Sequence, residues 1–253
     1  MKITEIKNDL PRATPTKELM NIYIDGIDDN LPNRNGSVTA IIGSAGSGKS
    51  SLLLSMFRNP HFYKKKYNHI YLFTPEGSFK SVTNHPFNEH DKVFHELEVD
   101  DLMNMEEELL AIKDECIEND YELEHTCCII DDYASDLKDK QLIRVLKKLL
   151  TKSRHILCSF IFTLQAYNMM PLVLRKQITN VILFKPKNNV ELESVRKELL
   201  GLNESKTQEL MDYVFDAPYN HLSIDTTTGE LGKNFNLLKI EDRHNNRRIK
   251  KKF

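Results

Sequence analysis

The sequence predicts an α/β fold with a mainly parallel sheet that is covered by helices on both faces. Three observations support this prediction. Apolar runs of strand type alternate with segments of helical periodicity. The runs are nearly continuous, which is typical of strands buried on both faces, whereas half-exposed strands alternate between apolar and polar residues. A glycine-rich turn joins the first run to the first helix, as in many doubly wound folds.

The first half of the chain contains two apolar runs and two helical segments. Residues 38–42 form the first run, and a helix over 51–57 follows the glycine-rich turn. A second run at 70–73 precedes a loop rich in Pro, Gly and Asn over 74–90. Apolar residues at helical spacing then predict a long acidic helix over 101–119.

The next segment continues the same alternation. The third run, 126–130, ends in two aspartates, and an amphipathic basic helix is predicted over 138–152. The fourth run covers 156–164 and the fifth covers 181–184. Five buried runs separated by helices predict one parallel sheet.

The C-terminal third is more mixed. Helical patterns cover 190–200 and 204–215, and a hairpin of 221–224 with 235–240 is predicted around a turn at Thr228 and Gly229. These elements are compatible with an appendage or with the far edge of the sheet. The predicted organisation is an N-terminal arm (1–34), a core (35–185), C-terminal helices and a hairpin (186–242), and a basic tail (243–253).

Composition excludes several classes of protein. With 40% hydrophobic and 28% charged residues and a net charge of −2, the chain is not of a disordered or fibrous type. The sequence has no long uncharged apolar window, so a membrane span is not expected. It has no N-terminal apolar region, so a signal peptide is not expected either. The cysteines lack zinc-site spacing, so we expect a reducing, cytosolic compartment; they are Cys116, Cys127, Cys128 and Cys158.

Residues 43–50 (GSAGSGKS) fit the phosphate-binding pattern G-x4-G-K-S. The pattern lies between a strand and a helix, where backbone N–H groups and the helix N-terminus can surround phosphate oxygens. Lys49 is predicted to contact the β- and γ-phosphates of ATP, and Ser50 to ligate Mg²⁺. The alternative is a glycine-rich turn without a ligand. The predicted nucleotide-binding residues are Gly43, Ser44, Ala45, Gly46, Ser47, Gly48, Lys49, Ser50 and Ser51.

Two carboxylates end the third run, where ligands of open α/β sheets bind. Asp131 is predicted to coordinate Mg²⁺, and Asp132 to act as general base toward the attacking water. The alternative is that these aspartates cap the next helix. Thr163 and Gln165 lie at the end of the following run. Gln165 either senses the γ-phosphate or holds the attacking water; the alternative is a buried amide bonded to backbone. No N-K-x-D guanine-reading motif is present, which disfavours a GTPase.

Charge is strongly segregated along the chain. Residues 96–124 contain 13 acids and one base, whereas 138–154 contain seven bases and one acid. The polar face of the basic helix suits a sequence-independent grip on the phosphates of double-stranded DNA, with an ordinary solvated face as the alternative. The basic tail has the same two interpretations. The candidate DNA-binding residues of the helix are Arg144, Lys147, Lys148 and Lys152.

Four features together resemble the FtsK-HerA superfamily, and most closely the genome-packaging ATPases of poxvirus-type large DNA viruses and their virophage relatives. They are 43–50, the IIDD of 129–132, Arg154-His155 before the fourth run, and Gln165 after it. The resemblance covers about residues 35–185. It implies a RecA-like (ASCE) P-loop core that hydrolyses ATP with Mg²⁺, acts as a pentameric or hexameric ring, and moves double-stranded DNA into a preformed capsid.

The resemblance also implies residue roles and partners. An arginine finger acting on the neighbouring subunit's nucleotide maps onto Arg154, with Arg175 as second candidate. The alternative for an Arg at the start of a strand is a surface cation or ion-pair donor. Asp132 stands where family members commonly have Glu. The implied partners are DNA, other copies of the chain and a capsid or portal protein, at an assembly site in the host cytoplasm or associated with the virion.

Two other functions remain open at this stage. One is a P-loop kinase for a nucleotide or another small molecule, although no Arg-rich lid segment is apparent. The other is a DNA- or protein-binding module that ATP switches without sustained turnover. A DNA-translocating packaging ATPase is the interpretation that the motifs favour.

Overall fold

A computed structural model of the chain describes residues 23–78, 86–87 and 92–240. The predicted basic tail and residues 1–22 of the predicted arm lie outside the described residues. No helix among those described is both long and apolar enough to cross a membrane.

The described residues contain nine strands and six α-helices. The strands are β1 (Val38–Ile42), β2 (His69–Phe73), β3 (Val93–Phe94), β4 (Thr126–Asp131), β5 (Cys158–Leu164), β6 (Asn180–Phe184), β7 (His221–Asp225), β8 (Leu231–Lys233) and β9 (Asn236–Leu237). The helices are α1 (Lys49–Arg58), α2 (Val99–Glu118), α3 (Lys140–Lys152), α4 (Leu172–Arg175), α5 (Asn189–Val195) and α6 (Glu204–Val214). A π-helical turn, Arg196–Leu200, directly follows α5.

All nine strands form one sheet in the order β3-β2-β4-β5-β1-β6-β7-β8-β9. The six strands from β3 to β6 in this order are parallel, and the last three are antiparallel. This arrangement confirms the predicted α/β class with a mainly parallel sheet. Strand β5 lies between β1 and β4, so the strand that follows both along the chain separates them in space.

Two apolar clusters cover the two faces of the sheet. One cluster joins α2, α3 and α6 to residues such as Phe160 and Phe162. The other joins α1 to Ile129, Ile161 and Ile182. Alternate residues of β5 therefore enter opposite clusters, and all seven of its residues are buried. Burial on both faces is the reason that this strand reads as an uninterrupted apolar run.

Element ends differ slightly from the predictions. Helix α3 begins at Lys140, because the Asp139 side chain accepts a hydrogen bond from the N–H of Leu142 (2.7 Å) and caps the helix. Strand β5 begins at Cys158, two residues after the start of the predicted run. Leu157 before it has a left-handed backbone (φ +52°), which is incompatible with an extended strand.

The C-terminal hairpin lies at the far edge of the sheet, one of its two expected placements. Strand β7 pairs with β6 in antiparallel register, with Phe184 opposite His221. The predicted second strand, 235–240, is wrong: the partner of β7 is β8, Leu231–Lys233. Asn234 and Phe235 both have positive φ values (+51° and +66°), so the chain turns there and only the short β9 follows.

Candidate functional site

The carboxyl ends of β1, β4 and β5 meet at one edge of the sheet and carry most of the predicted site. The phosphate-loop residues follow β1, Asp131 ends β4, and Gln165 follows β5. The N–H of Gly43 donates to the carbonyl of Leu164 (3.0 Å), which ties the loop to the end of β5. Asp131 lies opposite Thr163 in the parallel register. Residues that are far apart in sequence therefore meet at this edge.

Two glycines of the loop are required by its geometry. A Cβ atom on Gly43 would lie 2.7 Å from the Cβ of Phe184, closer than side chains tolerate. Gly48 precedes α1 with a φ of +106°, a conformation that L-residues rarely adopt. The loop leads directly into this helix, whose first N–H groups attract anions because they have no partner within the helix.

Lys49, the first residue of α1, folds back over the loop. Its ammonium donates hydrogen bonds to the carbonyls of Gly43 (2.6 Å) and Ser44 (3.2 Å). Partial burial lowers the pKa of Lys49, and the nearby carboxylates of Asp132 and Asp131 oppose this shift. The ammonium therefore lies between the loop and the acid pair, as expected of a cation that contacts a bound phosphate chain.

Asp131 is buried and held by two hydroxyl groups. One carboxylate oxygen accepts a hydrogen bond from Thr163 Oγ1 (2.5 Å), and the other accepts one from Thr74 Oγ1 (3.2 Å). Burial raises the pKa of Asp131, although the two hydroxyls and Lys49 act in the opposite direction. The carboxylate is thus fixed in orientation and poorly solvated, and a nearby cation would stabilise its charged form.

Asp132 has a left-handed backbone, with a φ of +60°. Its N–H donates to Thr163 Oγ1 (3.1 Å), and its carboxylate accepts from Gln165 Nε2 (3.1 Å). The hydroxyl of Thr163 therefore joins both aspartates, as donor to Asp131 and as acceptor from Asp132. A left-handed aspartate is uncommon, and such conformations concentrate at functional sites.

These contacts decide between the alternatives that the sequence left open. Neither aspartate caps the next helix, because Asp139 caps α3. Gln165 is exposed and binds the carboxylate of Asp132, so it is not a buried amide bonded to backbone. Thr74 was missed by the sequence analysis. The available signal is a hydroxyl residue directly after the apolar run of β2, in the same position as the polar residues that end β4 and β5.

The donor set fits Mg²⁺. Ser50 is exposed in the first turn of α1, and Asp131 supplies a carboxylate; both offer the oxygen ligands that Mg²⁺ prefers. Within 23–78, 86–87 and 92–240, no cluster of three or more His, Cys, Asp or Glu residues forms a metal site on its own. Mg²⁺ in nucleotide sites usually takes one or two protein ligands and completes its shell with phosphates and water.

Comparison with known proteins identifies the family. The family model described as the Poxvirus A32 protein matches residues 29–219, which include every predicted site residue. The chain belongs to the Poxvirus A32 protein family. This assignment confirms the resemblance to FtsK-HerA genome-packaging ATPases and the prediction that the protein is an ATPase. No curated protein matches the chain in sequence.

Solved structures share the fold of this A32 family member. The DNA-packaging ATPase B204 from Sulfolobus Turreted Icosahedral Virus aligns with a TM-score of 0.56 and 18% identity, over 82% of this chain and 99% of B204. B204 from Sulfolobus turreted icosahedral virus 2 in complex with ATP-gammaS gives 0.54 and 17%, over 81% and 98%. The cytoplasmic domain of the Thermomonospora curvata Type VII secretion ATPase EccC gives 0.54 and 15%, over 91% and 30%.

The two arginine-finger candidates have different surroundings. Arg154 is exposed before β5, near the amino ends of the strands, and has no ion pair within the part of the chain that the structure describes. Arg175 donates to Glu198 (2.9 Å) and Asn168 (3.3 Å), and its guanidinium lies 4.9 Å from the ring centroid of Tyr167. With only 14% of its side chain exposed, Arg175 is held within its own subunit.

The basic face of α3 is partly neutralised by α2. Lys148 and Lys152 both donate to the buried carboxylate of Glu106 (2.6 and 3.1 Å). These bonds lower the pKa of Glu106 against the opposing effect of its burial. Arg144 and Lys147 are exposed and, considering described residues only, have no ion pair. The predicted basic stripe therefore divides into two paired and two unpaired cations.

Proposed function

We propose that this A32 family member is an ATP-driven motor that translocates double-stranded DNA and packages a viral genome into a preformed capsid. The observation that carries the proposal is the convergence of the phosphate loop, Lys49 and the two aspartates at one edge of the sheet. The family match supports it, as do the names of two proteins with the same fold, a DNA-packaging ATPase and a genome packaging NTPase. The proposed location of the protein is the viral assembly site in the host cytoplasm.

Each residue of the site has a separate role in ATP hydrolysis. The loop N–H groups and Lys49 bind the β- and γ-phosphates of ATP. Ser50 and Asp131 hold Mg²⁺, which neutralises phosphate charge when bound. Asp132 accepts a proton from the attacking water. Gln165 donates a hydrogen bond to the Asp132 carboxylate and orients that carboxylate. The left-handed backbone of Asp132 and the hydrogen bond from its N–H to Thr163 fix the position of this short side chain.

We assign the arginine finger to Arg154 of a neighbouring copy in a pentameric or hexameric ring. An arginine finger has to reach another subunit's nucleotide, and Arg154 is exposed and unpaired among the described residues, whereas Arg175 would first have to leave Glu198. Arginine fingers contribute on the order of 10³ to 10⁵ in rate.

Subunit mixing tests this assignment. Arg154→Ala and Lys49→Ala chains should each hydrolyse ATP poorly alone, and mixing the two variants should restore part of the activity. An Arg154→Ala chain keeps its own Lys49 and receives Arg154 from a neighbouring Lys49→Ala chain. Lys64→Ala, a change at an exposed residue on another part of the surface, serves as the control and should keep wild-type activity. If mixtures of the two variants are no more active than the separate variants, a role in trans is excluded, because a finger acting within its own subunit leaves every site in the mixture incomplete.

DNA binding is assigned to the unpaired cations of α3, Arg144 and Lys147, with Lys148 and Lys152 contributing less because Glu106 shares their charge. Long duplex DNA should therefore stimulate steady-state ATP hydrolysis, with stimulation that falls steeply as salt rises. The double variant Arg144→Ala/Lys147→Ala should reduce the slope of log affinity against log salt by roughly 2.

The same assay separates the motor from its alternatives. Sustained turnover with long DNA supports the proposal, and hydrolysis limited to a single turnover indicates a nucleotide switch. Hydrolysis that neither DNA nor salt alters would contradict the DNA-translocating function, while phosphorylation of an added small acceptor would indicate a kinase.

A further inference from the structure

A cleft of about 600 Å³ opens beside the phosphate loop, on the side away from the acid pair. One wall is formed by loop residues that include Ser44 and Ser47. The other walls come from the last residue of β6 with the three residues after it, 184–187, and from the residues after α6, 215–220. A ligand that continues beyond the loop therefore enters a space built by the C-terminal part of the chain.

Tyr219 provides an aromatic surface in this cleft. Tyr219 is 71% exposed, so its ring is accessible to a ligand in the cleft. A Cβ atom on Gly48 would lie only 3.2 Å from Cδ1 of Tyr219, so the ring lies against the start of α1. The backbone of Tyr219 is left-handed (φ +66°), which holds the residue in a turn rather than in a helix or strand. An exposed ring in this position is suited to stacking on a flat ligand.

Two lysines, Lys185 and Lys187, add positive charge to the cleft. The ammonium of Lys187 lies close enough to Lys49 to lower the pKa of Lys49 further by like-charge repulsion. Neither Lys185 nor Lys187 has an ion pair among the residues that the structure describes. A lysine that lies beside Lys49 and has no ion pair within the described part of the chain favours an anionic ligand.

The polar side chains of the C-terminal wall already have partners. Asp216 accepts from Lys233 (2.7 Å) and from Asn220 Nδ2 (2.7 Å), and the oxygen of Asn220 accepts from Asn234 Nδ2 (2.8 Å). Pro186 and Pro218 have no backbone N–H to donate. This wall therefore offers ring contact and shape, and few free side-chain groups that could read the edge of a base.

We infer that this cleft is the nucleoside subsite of the proposed nucleotide site. The base stacks on Tyr219, Lys187 contacts the phosphate chain beside Lys49, and the base edge is read weakly, so adenine and guanine nucleotides bind with similar affinity. The inference rests on the proposed function, because the phosphate loop has to hold the triphosphate. It adds a recognition role for the C-terminal segment that the sequence motifs did not indicate.

The test compares probes with and without a base. Binding of the Mg²⁺ complexes of AMPPNP, GMPPNP and inorganic tripolyphosphate is measured by calorimetry on the full chain. Tyr219→Ala should weaken both nucleotide analogues about tenfold and leave tripolyphosphate unchanged. Tyr219→Phe should keep wild-type affinity because it keeps the ring, and Tyr121→Ala, a change at an exposed tyrosine after α2, should have no effect. Lys187→Ala should weaken all three probes.

The outcomes are distinguishable. Nucleotide binding unchanged by Tyr219→Ala, or weakened equally for tripolyphosphate, would overturn the stacking role alone. A preference of 100-fold or more for one analogue in the wild type would overturn weak base reading. Failure of all three probes to bind the wild-type chain would overturn the proposed nucleotide site as well.

Discussion

The two halves of the candidate site are built in different ways. The phosphate loop is a contiguous segment whose shape comes from its own glycines and from the helix that follows. The acid pair depends on distant residues: Thr74 and Thr163, which bind Asp131, are 57 and 32 positions away from it. One half is therefore encoded locally, and the other exists only when strands β2, β4 and β5 are side by side.

The halves also differ in solvation. Much of the loop is open to solvent and attracts anions, whereas Asp131 is buried and accepts hydrogen bonds from uncharged hydroxyls. The charged form of a buried carboxylate such as Asp131 costs free energy of folding until a cation approaches it. The acid half is therefore the electrostatically unfavourable part of the site. We expect mutations in the loop to affect activity, and mutations in the acid half to affect activity and stability together.

The largest effect is expected from the loop half. Lys49→Ala removes the cation that lies over the loop and should reduce ATP hydrolysis by at least about 10²-fold, as loss of one preorganised charge contact does in other enzymes. The midpoint of thermal unfolding should change little, since the Lys49 ammonium is bonded to loop carbonyls only. Steady-state phosphate release measures the first quantity. Wild-type turnover in Lys49→Ala would refute the assigned role.

An intermediate effect is expected from the hydroxyl that joins the aspartates. Thr163→Val keeps the shape of the side chain but removes the donor to Asp131 and the acceptor for Asp132, so the Mg²⁺ concentration for half-maximal hydrolysis should rise about 10- to 100-fold. Thr163→Ser keeps the hydroxyl and should therefore require nearly the same Mg²⁺ concentration as wild type. Titration of activity with Mg²⁺ checks the change, and an unaltered Mg²⁺ requirement would mean that Thr163 only packs the strand.

The smallest effect concerns stability. Because burial raises the pKa of Asp131, ionisation disfavours the folded state: this cost is absent below the ordinary pKa of about 3.9 and grows as pH rises through the raised value. Asp131→Asn should therefore be inactive, yet more stable than wild type at pH 7 by about 1 kcal/mol. Urea unfolding at pH 7 and pH 4 measures the difference, which should shrink at pH 4. A less stable Asp131→Asn at pH 7 would contradict this account.

The comparison also explains how far the sequence alone could go. Strand-like runs, helical spacing and the phosphate loop are local patterns, and they predicted the fold class and the loop between β1 and α1. The contribution of Thr74 depends on which strands are neighbours, and strand order is not visible in a linear pattern. The same limit applies to Glu106, which neutralises part of α3 from another helix.

The prediction of the hairpin's second strand, 235–240, was wrong for a different reason. Residues 235–240 have the composition of a strand, but the left-handed Asn234 and Phe235 turn the chain after only three residues of β8. Neither residue is a glycine, so the turn carries no glycine signal. Tertiary contacts determined the backbone there, including the hydrogen bond from the Asn234 N–H to the carbonyl of His221 (3.0 Å).

The ends of the sheet restrict the ways in which copies of this protein could associate in the proposed ring. The outermost strands, β3 and β9, have two residues each, so the described edges offer almost no backbone ladder that another chain could extend. Strand addition and the aggregation that accompanies it are thereby disfavoured. In the proposed ring, neighbouring copies would meet through side chains instead, and such contacts can loosen and reform without breaking a shared β-sheet.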